Sequence, residues 1–293
     1  MLGIRRLQPV QVKLLGWDKV WLNVWDYGGD GPTLLFCHCT GGLGRLWEPV
    51  IRRLQGRYHC YAPDARGHGL SAKPVDWEAY DWHYYTRDIL ALLDAMHLEG
   101  DILAVGHSAG ATHLVDAALQ RPERFRGLLL LDPVMAPANM QTQVELMCQA
   151  LAERTRRRVT EFPTPAAAQA RFSEKPPLSR WTEETLRLYV DQGLESGPDG
   201  VFTLRCPNEI EAWTYEWAAK QRIFDRIHEL EVPVTLVTGD ESDIAPFVAL
   251  QAQSFGNLQA CHSLPASHFI PQEVPTAVAE LVDAWAAQAV GSS

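Results

Sequence analysis

Five short apolar runs punctuate this chain of 293 residues: TLLFC (33–37), YHCYA (58–62), ILAVG (102–106), GLLLLD (127–132) and VPVTLVTG (232–239). Near-continuous apolarity over so few residues is the mark of strands buried on both faces. Between the runs, apolar residues recur at helical spacing. Trp47, Val50, Ile51 and Leu54 form one such stripe, and Tyr85, Ile89, Leu92, Leu93 and Met96 a second. Val274, Val278, Leu281, Val282 and Trp285 form a third near the end. Strands alternating with helices predict a mostly parallel sheet with helices on both faces. Residues 10–26 follow a different rule. Two β-rich runs are split by Gly16-Trp17-Asp18, and in the second Val20, Leu22 and Val24 alternate with Trp21, Asn23 and Trp25, as in an antiparallel hairpin.

The alternation stops between about 136 and 225. Much of this segment reads as helix. In WTEETLRLYVDQGL, Thr182 is placed to cap a helix N-terminus, acids fill the first turn, and Trp181 and Leu186 sit where a hydrophobic staple would close. The expected organisation is a core of residues 1–135 and 226–293, with a mainly helical insertion, 136–225, lying over the sheet after the sixth strand.

Composition narrows the function. A hydrophobic share of 46% with 21% charged residues is ordinary for a globular chain. The formal net charge of −10 argues against a nucleic-acid partner, which would need a concentrated basic face. The one basic cluster, Arg154, Arg156, Arg157 and Arg158, reads as a solvated helix face. No apolar run reaches the ~18 residues of a membrane span, and the opening MLGIRRLQPVQVKLLG lacks the apolar core of a secretory signal. The six cysteines form no CxxC pair and no zinc-type spacing with histidine, so no metal is expected; several lie in apolar runs and read as small buried hydrophobes, and a reducing cytoplasm fits.

One stretch carries chemistry. DILAVGHSAGATHLVDAAL (101–119) holds Gly106-His107-Ser108-Ala109-Gly110, a G-x-S-x-G pattern between a strand-like run and a helix-like one. That is the context a serine nucleophile on a sharp strand-to-helix turn requires. The small residues around Ser108 make room for the turn, and the Ala109 N–H at the helix start would face an oxyanion.

With these motifs in order, the sequence resembles α/β-hydrolase-fold proteins with an inserted cap, over nearly its whole length. FCHCTGGLGRLWEPV resembles their loop after the third strand, and APDARGHGLSAKP the loop after the fourth. GHSAG resembles the nucleophile elbow, and LVTGDESDIAPF and LPASHFIPQEVP the acid and histidine loops. The resemblance implies an α/β-hydrolase fold with a mostly parallel eight-stranded sheet. It implies Ser108 as nucleophile, His268 as base and Asp243 as the acid that orients it. Asp240 and Glu241 share the acid loop, and Asp132 at the end of GLLLLD is a rival, because some members carry the acid after the preceding strand. The oxyanion N–H groups would come from Ala109 and Thr40. Relatives usually have glycine where this chain has Cys39, a change that restricts the turn. His38 and His68 read as loop braces. His107, Trp213 and Trp217 are candidate substrate-binding residues, with Trp181 and Tyr215 as further aromatic lining; His107 could equally brace the elbow, and the aromatics could equally pack cap against sheet.

The resemblance implies a cofactor-free serine hydrolase of carboxylic esters, a carboxylesterase or lactonase, acting on a small apolar ester-like substrate. Self-association stays open. Epoxide- and halide-processing members use aspartate as nucleophile, which Ser108 argues against. Other readings are a C–C bond hydrolase of ring-cleavage products and a proline-releasing peptidase using Glu209 and Glu211. Cofactor-free dioxygenases, haloperoxidase-like enzymes and a ligand-binding protein on the same scaffold complete the set.

Overall fold

The computed structural model describes residues 8–54 and 56–291, so residues 1–7 of the opening stretch weighed above as a leader lie outside it. The predicted hairpin forms: β1 (Val10–Leu15) pairs antiparallel with β2 (Trp21–Asp26). Then come β3 (Thr33–Cys37), α1 (Glu48–Leu54), β4 (His59–Asp64), α2 (Trp82–Ala95) and β5 (Ile102–His107), followed by α3 (Ala109–Gln120) and β6 (Phe125–Leu131). After an intervening segment the alternation resumes with β10 (Val234–Gly239), α8 (Ala245–Ser254), β11 (Leu258–Leu264), α9 (Ile270–Glu273) and α10 (Pro275–Gly291).

The intervening segment holds α4 (Gln141–Arg156), β7 (Glu161–Phe162), α5 (Pro165–Ser173), α6 (Glu183–Gly193), β8 (Leu194–Ser196), β9 (Phe202–Leu204) and α7 (Asn208–Ala218). Thr182 caps α6, accepting from the Thr185 N–H. Trp181 and Leu186 are buried in one cluster, as a staple requires. The small antiparallel sheet β7-β9-β8 gave no signal in the sequence, because strands of two or three residues are too short to show a period of two.

The main sheet has eight strands in the order β1-β2-β4-β3-β5-β6-β10-β11. From β4 to β11 every neighbour is parallel; only β1 and β2 run against their neighbours. Alternate residues of the central strands enter opposite cores. Ile102 and Ala104 of β5 join Leu128 and Leu130 of β6 under α2 and α3, while Leu103, Val105, Leu129 and Leu131 face α1 and α10. The apolar runs are continuous because both faces are covered.

This order fixes where chemistry can sit. From β3 the chain turns outward to β4, then returns to place β5 on the other side of β3. Beyond the carboxyl ends of β3 and β5 lies the crevice expected at such a reversal. The loop carrying Thr40 leaves β3 there, and Ser108 leaves β5 there.

Candidate active site

Ser108 joins β5 to α3 in a strained conformation, φ 55° and ψ −122°. The flanking glycines are explained by what a side chain would strike. A Cβ on Gly106 would lie 2.5 Å from Cα of Ala111, and one on Gly110 2.5 Å from the carbonyl oxygens of Cys37 and His38. α3 therefore packs tightly under the β3 loop, and its first N–H, from Ala109, opens beside Ser108. Ser108, Ala109, Thr40 and His268 line one cavity.

His268 reaches Ser108 from the loop after β11. Its Nε2 lies 2.9 Å from Ser108 Oγ, and its Nδ1 lies 3.2 Å from a carboxylate oxygen of Asp132. This corrects the sequence expectation of Asp243. Asp132 immediately follows β6, the strand beside β5, whereas Asp243 follows β10, one strand further out. The Asp132 carboxylate is wholly buried and its backbone, φ 45°, is pinned by an N–H donated to Val237 O at 2.8 Å. Asp243 is solvent-exposed and lines the same cavity as Ser108 without reaching His268.

Of the two roles open to His107, the structure places it as a brace and not in the cavity. It is fully buried, and Nε2 donates to the carbonyl of His268 at 2.7 Å, tying the histidine loop to the end of β5. Burial, reinforced by the neighbouring His268 ring, lowers its pKa to about 3, so it stays neutral. Trp213 and Trp217 are also elsewhere. Trp213 packs on Tyr80 with ring centroids 5.6 Å apart, and Trp217 on Trp77 at 4.4 Å while donating its indole N–H to Trp77 O. Both belong to the packing of α7 against the loop before α2. Tyr215, between them in sequence, is the α7 aromatic that reaches the cavity.

The β3 loop is braced as read from the sequence. His38 Nδ1 donates to Cys39 O at 2.7 Å, and Nε2 accepts from the Ala65 N–H at 2.9 Å. His68 Nδ1 donates to Arg66 O, and Nε2 accepts from the Gly41 N–H at 3.0 Å. Burial lowers both histidines, His68 to about 3. The left-handed position of this loop is Gly41, with φ +75°, and not residue 39. Cys39 is buried, and burial, with Glu211 nearby, pushes its thiol up to about 12, away from nucleophilic chemistry.

Two chambers meet at this site. The inner, about 190 Å³, holds Ser108 and His268 among Trp82, Met147, Leu151 and Phe247. The outer, about 720 Å³, lies between the β3 loop and helices α4 to α7. Arg154, Arg157 and Arg158 line the outer chamber, so this part of the basic cluster is more than a solvated face. Glu209 and Glu211, weighed as amino-terminus ligands, are already paired, to Arg156 and to Arg158 at 2.9 and 2.5 Å. Among the described residues no helix is long and apolar enough to cross a membrane.

Comparison with known proteins agrees with this architecture. The sequence profile of the "Alpha/beta hydrolase family" matches residues 34–281. A 2-(acetamidomethylene)succinate hydrolase of Mesorhizobium japonicum is 38% identical over 115 residues, 39% of this chain and 40% of that protein. An epoxide hydrolase of Caballeronia sordidicola is 40% identical, again over a minority of both chains, 34% and 30%. The chain thus spans less than half the length of these two relatives. Lipase LipV of Mycobacterium tuberculosis is 25% identical over 89% of this chain and 96% of the lipase. Among solved structures, E-2-(acetamidomethylene)succinate hydrolase superposes with a TM-score of 0.82 at 24% identity, over 94% of this chain and 98% of that one, a likeness of fold.

Proposed function

This chain belongs to the alpha/beta hydrolase family, and from that premise we propose that it is a serine hydrolase of carboxylic esters working through Ser108, His268 and Asp132. The observation that carries the reading is the continuous line of contacts from Ser108 Oγ to His268 Nε2 and from His268 Nδ1 to Asp132, at 2.9 and 3.2 Å. Nδ1–H donates to the carboxylate, which leaves Nε2 unprotonated and facing the serine hydroxyl.

Nε2 takes the hydroxyl proton as Oγ attacks the ester carbonyl. The developing oxyanion is held by backbone N–H groups of Ala109 and Thr40 at the mouths of α3 and the β3 loop. The imidazolium returns its proton to the leaving alcohol, giving an acyl-Ser108 intermediate. Water, deprotonated by the same Nε2, then releases the acid and restores the serine. Asp132, buried from solvent, stabilises the imidazolium at both stages. His107 acts through His268 as a positioning residue, and α4 to α7 act as a cap that screens the site from water.

The small inner chamber supports a short acyl group. Hydrolysis of p-nitrophenyl acetate, butyrate and octanoate, beside Ser108→Ala, tests the reading. The expected result is turnover that favours the shorter esters and disappears in the variant. A second reading is cleavage of a C–C bond by the same serine. Product analysis separates the two: acid and alcohol for the ester, two carbon fragments for the other. With Glu209 and Glu211 both engaged by arginines, the peptidase reading loses its amino-terminus ligands.

A further inference from the structure

The two chambers differ in chemistry, and they meet at Cys39, Thr40, Arg154, Tyr215 and Phe269, which line both. The inner walls are mostly apolar. The outer walls carry the cations Arg154, Arg157, Arg158, Arg171 and Lys175 against only two carboxylates, Glu153 and Glu211. Those carboxylates are taken: Glu153 lies 2.8 Å from Arg157 and Glu211 2.5 Å from Arg158. Arg171 pairs with Glu174. Arg154 and Lys175 have no ion-pair partner among the described residues. A chain of net charge −10 has gathered unneutralised positive charge around one chamber, and Arg154 carries it to the threshold of Ser108.

We infer that the substrate carries a carboxylate, held in the outer chamber by Arg154 with support from Lys175, while its apolar part and its scissile carbonyl enter the inner chamber, the carbonyl at Ser108. The inference rests on the serine-hydrolase reading and gives it a substrate class: short esters that carry an ionised carboxylate on the acyl or the alcohol side. A guanidinium suits this task, since its planar fork matches both carboxylate oxygens. Walls of net positive charge around a cleft also draw in an anionic substrate, faster at low salt. Arg154 is solvent-exposed, which tempers its effect.

The test compares matched pairs differing only in the carboxylate: mono-p-nitrophenyl glutarate against p-nitrophenyl pentanoate, and 4-carboxyphenyl butyrate against phenyl butyrate. The first pair puts the anion on the acyl side, the second on the alcohol side. The expected kcat/KM ratio, anionic over neutral, is about tenfold or more in one pair and shrinks as salt is raised. Arg154→Gln lowers that ratio about tenfold, mainly through KM. Arg187→Gln removes the same charge from α6, where Arg187 pairs with Asp191 away from the chamber, and keeps the wild-type ratio. A ratio near one in both pairs, with Ser108-dependent hydrolysis of the neutral esters, overturns this inference alone. So does an equal fall of the ratio in the two arginine variants, which would assign the preference to overall charge. If no ester is turned over and a fluorophosphonate fails to label Ser108, both readings fall.

Discussion

Asp132 and His268, 136 residues apart in sequence, meet with a carboxylate oxygen 3.2 Å from Nδ1, and the other acidic candidate, Asp243, lies in the same cavity without touching the imidazole. The assignment is tested by the pair Asp132→Asn and Asp243→Asn. The amide can present its N–H to Nδ1 and so favour the wrong tautomer; the expected fall in kcat is on the order of 10⁴. Asp243→Asn is expected within about tenfold of wild type. The reverse ranking would restore the sequence assignment.

That ranking also shows where the sequence was legible. Ser108, His268 and the β3 and elbow loops follow from local patterns, because each is a strand end with its own turn chemistry. The acid does not. Both Asp132 and Asp243 follow apolar runs that fold into neighbouring parallel strands, β6 and β10. Which one meets the histidine depends on how far the loop after β11 swings back across the sheet, a relation no local pattern encodes. At His107 and the α7 tryptophans the sequence left pocket and packing open for a similar reason. Trp213 and Trp217, four apart, share a helix face, but only the docking of α7 decides that this face meets Tyr80 and Trp77 while Tyr215 faces the cavity. Arg154 was visible only as one of a basic cluster.

The elbow glycines give a second prediction. A methyl on Gly110 meets two carbonyl oxygens at 2.5 Å, and neither can move without shifting the β3 loop. Gly110→Ala is expected to cost about 1–3 kcal/mol in denaturant unfolding. Displacement of Ser108 and the Ala109 N–H should lower kcat by about 10²-fold. Wild-type stability and turnover in this variant would show that the elbow has slack.

Trp213 and Leu151 give a third. Trp213→Ala is expected to lose about 2 kcal/mol of stability with the acyl-chain preference unchanged, since its ring packs on Tyr80. Leu151→Trp fills the inner chamber and is expected to shift preference further toward acetate. Altered chain-length selection in Trp213→Ala would return that tryptophan to the site.

Buried neutral histidines predict the acid limb of stability. His113 stacks on Tyr85 at 4.8 Å in a buried pocket, and burial lowers its pKa to about 3, as it does for His68 and His107. Between about pH 6.5 and 3 the unfolded chain binds protons that the native chain does not. Each such histidine therefore removes up to about 1.4 kcal/mol of stability per pH unit as pH falls through that window, and nothing above it. His113→Phe keeps the aromatic stack. Urea unfolding at pH 7.5 and 5.0 is expected to show a smaller loss for the variant than for wild type; equal losses would mean that His113 takes up a proton in the folded protein.

The central claim is that Ser108 forms the covalent intermediate. Its most direct test is rapid acid quenching of the protein mixed with p-nitrophenyl acetate, followed by intact mass and peptide mapping of wild type, Ser108→Ala and Asp132→Asn. The account predicts a transient acetyl adduct on Ser108 in wild type, none in Ser108→Ala, and an adduct that forms far more slowly in Asp132→Asn. An adduct on another side chain, or turnover that persists in Ser108→Ala, would contradict it.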